Sequence, residues 1–368
     1  DWGEKGARLV VLTARSKHDG VRQHVERAVE THGKKQDLIM KQLPHMEVAI
    51  DCLKDGTGDI LGMSAFDWEN HDTEGLAIVG LLTRKEPTWV LVSNDKPEYL
   101  PSQSILVCDS ELLHRQMLRL RYDLTIFTSH DMAKHLGMAE EFAQLDEDEK
   151  WPWFEQLRIE EKIQGFIVPR SIHSGYRFKS RRHTLGLQRN DSDHNRERFI
   201  PPPLHGFTLL VARQGFSATP ISAMLDPSAY LAYRLENAIM DSLDPVLHER
   251  VGVHVEQRKI STILREATRI GDESTQESML NPEGKAIKGG PRVELMIETL
   301  NPSGSITAAC ERVVLPENSH IGMVNLLREF LNLVTMMSTD HEELKRSIPG
   351  MPPEFSEPSL RMMDYDES

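Results

Sequence analysis

Cysteine is scarce in this chain, with three in 368 residues, at Cys52, Cys108 and Cys310. No Cys-x-x-Cys spacing joins them, which excludes a disulfide framework and a Cys-rich metal site and suits a reducing compartment. Long apolar runs are also missing. No stretch approaches the roughly 20 residues that a membrane-spanning helix needs, and the opening residues carry no charged-then-apolar leader. A soluble cytoplasmic protein is the expectation. Basic residues are outnumbered: 43 Lys and Arg against 57 Asp and Glu leave a formal net charge of −14, which repels phosphate backbones and anionic membranes. Neither nucleic acid nor a membrane is expected as a partner. The 16 His, among them His130 and His135, show no metal-ligand spacing and read as surface or capping residues, so no metal is expected. Gly284–Gly290 fits neither a phosphate loop nor a dinucleotide fingerprint.

With 39% hydrophobic and 27% charged residues, the chain is globular and long enough for two or three domains. From Ala7 to Ser93, strand-like runs (Leu9–Leu12, Ile60–Met63, Leu76–Leu82, Trp89–Val92) alternate with helix-like ones (Val21–Thr31, Ala49–Lys54), the pattern of βα units. Pro97–Pro101 reads as a hinge. A second unit continues to Phe199 with strands at Ile105–Cys108, Leu124–Phe127 and Gly165–Val168 and a helix at Ser110–Arg121. Pro201–Pro203 marks a second crossing, followed by a strand at Phe207–Ala212. A helix begins near Asp226, and Val251–Val255, Arg292–Leu300 and Ser305–Val314 read as strands, with an insertion at 274–291 and a closing helix at Met323–Val334. The polar, Pro-rich stretch 338–368 reads as a flexible tail. A basic stretch from Arg170 to Arg198 runs against the overall charge and reads either as a lip for a polycarboxylate ligand or as a solvated loop.

The stretch richest in chemistry is Gly58-Asp-Ile-Leu-Gly-Met-Ser-Ala-Phe-Asp67, a buried strand with Ser64 and Asp67 at its carboxyl end, where ligands collect in open α/β sheets. With Ala7-Arg-Leu-Val-Val-Leu-Thr-Ala-Arg-Ser16, Thr73–Ser93, Leu100-Pro-Ser-Gln-Ser-Ile-Leu106, Ser110 and Gln116–Leu124 in the same order, it resembles the hydroxymethylbilane synthase (porphobilinogen deaminase) family. In that family a His-Ser-x-Lys-Asp signature presents an aspartate; Met63 and Phe66 replace the His and the Lys, while Ser64 and Asp67 stand.

The resemblance implies an α/β fold, α+β overall: two periplasmic-binding-protein-II-like lobes with a cleft, plus a small C-terminal α+β domain. It divides the chain into a first lobe of residues 7–97 with 204–218, a second lobe of 102–199 and a third domain of 226–337. It implies Asp67 as the catalytic carboxylate, which would stabilise cations and shuttle protons while porphobilinogen units condense. Ser64 and Ser110 would contact the dipyrromethane primer, and Thr13, Arg15, Ser16 and Arg115 the substrate. A cap at the strand end is the structural alternative for Asp67.

Two departures matter. The loop Asp241–Gly252 has no thiol, and Leu247 stands where the family's primer-bearing Cys would be. The arginine clamps are thinned: one reads Thr13-Ala-Arg-Ser16, another Ser110-Glu-Leu-Leu-His114, a third Ser129-His-Asp-Met132. Covalent dipyrromethane is therefore not expected. Two readings stay open, a divergent synthase acting on porphobilinogen or a catalytically silent monomer that binds a small anion or a tetrapyrrole precursor. A scaffold acting through the tail and the 274–291 insertion is a weaker third.

Overall fold

The computed structural model describes residues 8–14, 20–85, 87–176, 178–187, 198–339, 341–345, 358–359 and 361–365. The expected class, α/β and α+β overall, stands: two mixed five-stranded sheets with their helices, and a small C-terminal part with a three-stranded antiparallel sheet.

The first sheet is built from βα repeats: β1 (Leu9–Ala14), α1 (Val21–Gln36), β2 (Leu38–Leu43), α2 (Met46–Lys54), β3 (Ile60–Ser64), α3 (Ala65–Asn70) and β4 (Leu76–Leu81). β1 lies between β2 and β3 and runs parallel to both, because each crossover carries a helix that covers the sheet. In α1, Val21, His24, Val25 and Ala28 recur at helical spacing and form the stripe that meets the sheet. Val21 and Val25 pack there with Val11, Ile60 and Leu210, each fully buried aliphatic contributing about 1.5–3 kcal/mol.

The second sheet also has five strands, β5 (Trp89–Ser93), β6 (Ile105–Val107), β7 (Thr125–Phe127), β8 (Gly165–Pro169) and β9 (Arg181–Leu185). β5 lies antiparallel between β8 and β9, and β6 pairs in parallel with β7 across α4 (Glu111–Leu120). The chain then returns as β10 (Thr208–Arg213), antiparallel between β3 and β4. β9 is an edge strand with Arg181 and Arg182 exposed, so this part of the basic stretch is a solvated, charge-protected edge.

β11 (Val251–Arg258), β12 (Arg292–Leu300) and β13 (Thr307–Val314) form an antiparallel sheet with β12 central. Met323, Leu326, Phe330 and Val334 of the helix Ser319–Ser338 are buried at helical spacing, and that helix packs on β12 and β13.

Three expectations are corrected. The run Trp89–Val92 belongs to the second sheet, so the chain leaves the first sheet after β4 and before the hinge read at Pro97–Pro101. A buried apolar strand fits either sheet, and periodicity does not say which. The described residues separate into two compact units, one of Asp1–Lys96, His130–Leu185 and Leu204–Arg234, the other of Pro97–Ser129, Gly186–Pro203 and Leu235–Ser368. The second unit thus joins α4, read as part of the second lobe, to the C-terminal sheet, because Gln116 and Arg119 of α4 hydrogen-bond Glu298 of β12. Within the stretch read as a flexible tail, residues 361–365 are placed against that unit: Met363 and Tyr365 are buried and Asp364 pairs with Arg115.

Candidate functional site

The carboxyl ends of β1 and β3 and the entry of β10 meet at one edge of the first sheet. Thr13 stands opposite Gly62 and Thr208 opposite Ser64. A side chain at Gly62 would come within 2.5 Å of Val25 on α1, so this is the face that α1 covers. Paired residues share a face and side chains alternate along a strand, which puts Thr13, Ser64 and Thr208 together on the α1 side. His24 of α1 completes the group, with its Nδ1 2.9 Å from Thr208 Oγ1. Thr13 Oγ1 is buried and has no hydrogen-bond partner among the described residues, a state that costs stability unless a ligand or water supplies one.

His24 is buried, and its pKa falls from 6.5 to about 4, first through burial and then through the nearby cations of Lys85 and Arg27. The imidazole is therefore neutral at physiological pH and can both donate and accept. A pH prediction follows, with the sign fixed by this depression. The stability His24 contributes is fully present above pH 6.5 and is lost as pH falls toward 4, by up to about 3 kcal/mol. Denaturant titrations should show the His24→Asn variant less sensitive to pH in that window, and an unchanged slope would refute the assignment.

Asp67 lies just beyond β3, as the sequence implied, in the first turn of α3. Ser64 Oγ donates to Asp67 Oδ2 at 2.7 Å, Asp67 N donates to Ser64 Oγ at 3.0 Å, and Ser64 N donates to Oδ2 at 3.3 Å. This reciprocal capping box is the structural role weighed for Asp67. Next to it the Phe66 ring meets His205 edge-on at 4.9 Å. Burial, with Arg84 adding to it, takes the His205 pKa down to about 3.

The remaining expected residues separate. Arg15 and Ser16 lie outside the described residues. Ser110 caps α4 by accepting from Leu113 N. Arg115, read as a substrate clamp, is instead committed to the protein: it is 3% exposed, forks onto both oxygens of Asp364 at 2.9 Å, pairs with Glu111 and donates to Leu300 O at 2.5 Å. Leu247 is 2% exposed in the short turn Pro245–Leu247. A dipyrromethane primer does not fit this position, which offers a buried alkyl group in place of a thiolate. Nor is a ready thiolate evident at two of the other cysteines, since burial drives the Cys108 thiol up to about 12 and raises that of Cys310.

His24 and Thr208 are the functional residues that sequence reading missed. The signal was present for His24, whose place in the Val21-His24-Val25-Ala28 stripe contradicts the surface reading given to the histidines. Thr208 carried none, because its neighbour Ser64 is 144 residues away in the chain. Among the described residues no helix is long and apolar enough to cross a membrane, and no three His, Cys, Asp or Glu side chains are grouped to hold a metal.

No protein-family model matches the sequence, and no curated protein matches it. Among solved structures, similarity is found to a periplasmic substrate-binding protein of an ABC transporter from Coxiella burnetii, at 12% identity over 60% of this chain and 94% of that one, with a TM-score of 0.35. Immunogenic lipoprotein A from Vibrio vulnificus is 14% identical over 62% of this chain and 99% of its own, with a TM-score of 0.32. YhfZ from Shigella flexneri is 13% identical over 65% and 99%, with a TM-score of 0.29. Scores at this level carry no inference about what this chain binds.

Proposed function

We propose that this chain is a divergent and catalytically silent relative of the hydroxymethylbilane synthases that binds a small anion, a phosphate or the carboxylates of a porphobilinogen-like molecule, at the strand ends of its first sheet. The observation that carries the reading is that Thr13 and Thr208 share a strand-end face with the capping Ser64, and that Thr208 there meets a His24 imidazole held neutral beside Lys85. Hydroxyls and a neutral imidazole donate to an anion without themselves bringing charge into a buried place, and Lys85 supplies attraction. Silence is supported by the capping box that occupies Asp67 Oδ2 and by Leu247 in place of a primer thiol. The acidic net charge weighs against nucleic acid and anionic membranes as partners of this chain, which we read as a cytoplasmic monomer.

Calorimetric titration with porphobilinogen and with inorganic phosphate, run beside an ammonia-release assay, tests this. Binding without ammonia release is expected, reduced in Thr208→Val. Asp67→Ala should keep binding and lose about 1 kcal/mol of stability, the usual cost of a lost cap. Ammonia release by the unmodified protein would restore the synthase reading, and no heat with either probe would remove the site.

A further inference from the structure

The second unit carries an open pocket of about 600 Å³ beside the turn that joins β12 to β13, within the range of small-molecule sites, about 300–1,000 Å³. Its lining includes two ion pairs, one buried on both sides and one whose carboxylate, Glu311, is 34% exposed. Arg119 Nη1 lies 3.0 Å from Glu298 Oε2, with 7% and 3% of the two side chains exposed. Arg198, also 7% exposed, pairs with Glu311. The turn is held tightly against α4: Gly304 has a left-handed φ of +69°, and a Cβ there would fall 2.4 Å from Arg115 O, so only glycine lets the wall close this far.

Charges buried around a void are a poor way to gain stability, since well-packed apolar residues do as well or better. We propose that this cavity binds a small uncharged polyhydroxylated molecule of monosaccharide size. The two guanidiniums and two carboxylates cancel, and each is matched to an opposite partner, so an ion entering the cavity would be desolvated without a free counter-charge. The Nε atoms of Arg119 and Arg198 are nonetheless buried with no hydrogen-bond partner among the described residues. The guanidinium groups and carboxylates of the lining residues offer donors and lone pairs that suit vicinal hydroxyls, which accept from one and donate to the other without carrying charge. Thr307 adds a hydroxyl to the lining, and Tyr122, 91% exposed, adds a flat apolar ring against which the C–H face of a sugar can lie. The site is built from residues of the second unit alone and does not depend on the function proposed for the Thr13–His24–Ser64–Thr208 group.

Saturation-transfer NMR and calorimetry on the intact chain, with D-glucose, D-galactose and myo-inositol at millimolar concentration, provide the test. Glycine and inorganic phosphate serve as charged controls. At least one of the three polyols should show transfer that neither control displaces. Ala309→Trp fills the cavity from an exposed position on β13 and should abolish that transfer, while Tyr122→Ala should weaken it; both sites are exposed, so folding is retained. Phosphate binding at the first-sheet site should be the same in both variants as in the parent, which separates the two proposals. No transfer from any polyol, transfer that survives Ala309→Trp, or displacement by glycine would overturn the proposal.

Discussion

Replacing Arg115 with alanine is expected to lower the stability of the second unit by roughly 3 kcal/mol, the low end of the cost of breaking a buried ion pair. The guanidinium is 97% out of solvent and serves four acceptor oxygens, one each on Glu111 and Leu300 and both of Asp364. Removing it leaves the Leu300 carbonyl and Glu111 without that donor, while Asp364 keeps Arg250 at 3.2 Å. The cost stays at the low end because the carboxylate side chains of Glu111 and Asp364 are 42% and 36% exposed and recover water. Arg115→Lys keeps the charge but not the planar fork, so it should recover only part of the loss. Urea denaturation gives the direct measure, as a shift of midpoint at unchanged slope. A loss under about 1 kcal/mol accompanied by failure to bind porphobilinogen would return Arg115 to the clamp role that the family resemblance implied.

Leu247→Cys is expected to yield no covalent pyrrole adduct and no porphobilinogen turnover. The side chain is 2% exposed and sits in a turn fixed by Asp244, whose carboxylate accepts from Val246 N at 2.9 Å. A thiol buried there would have its pKa raised, as burial already raises that of Cys108, and the thiolate is the nucleophile. Shrinking a buried leucine costs a further 1–3 kcal/mol or so through the cavity it leaves. Even a tethered primer would bring several carboxylates into a protein whose Arg115 is already paired and whose Glu111 repels them. Intact mass after incubation with porphobilinogen decides the matter: a mass gain of one dipyrromethane on the variant would show that a thiol at this position is enough for primer attachment and would overturn the silent reading.

Much of the architecture was legible in the sequence because it is written in local terms. Alternating βα periodicity gave β1, α1, α2 and β3 within a few residues, and the apolar run behind Lys54–Gly58 placed Ser64 and Asp67 just beyond a buried strand; Asp67 lies there, while Ser64 is the strand's last residue. The absence of a thiol at position 247 needed no structure. What the sequence could not decide were matters of pairing between distant segments. β5 carries the same buried pattern whether it joins the first sheet or the second, and only its hydrogen bonds to β8 and β9 choose. Arg115 reads equally well as a ligand clamp or as a structural ion until Asp364, 249 residues later, is seen to take both of its terminal nitrogens. His24 and Thr208 become a site only because β10 returns antiparallel to β3 and sets Thr208 across from Ser64. Periodicity reports which side of an element is apolar; it carries no information about which distant carboxylate, hydroxyl or strand will occupy the space beside it, and the candidate site is made of such neighbours.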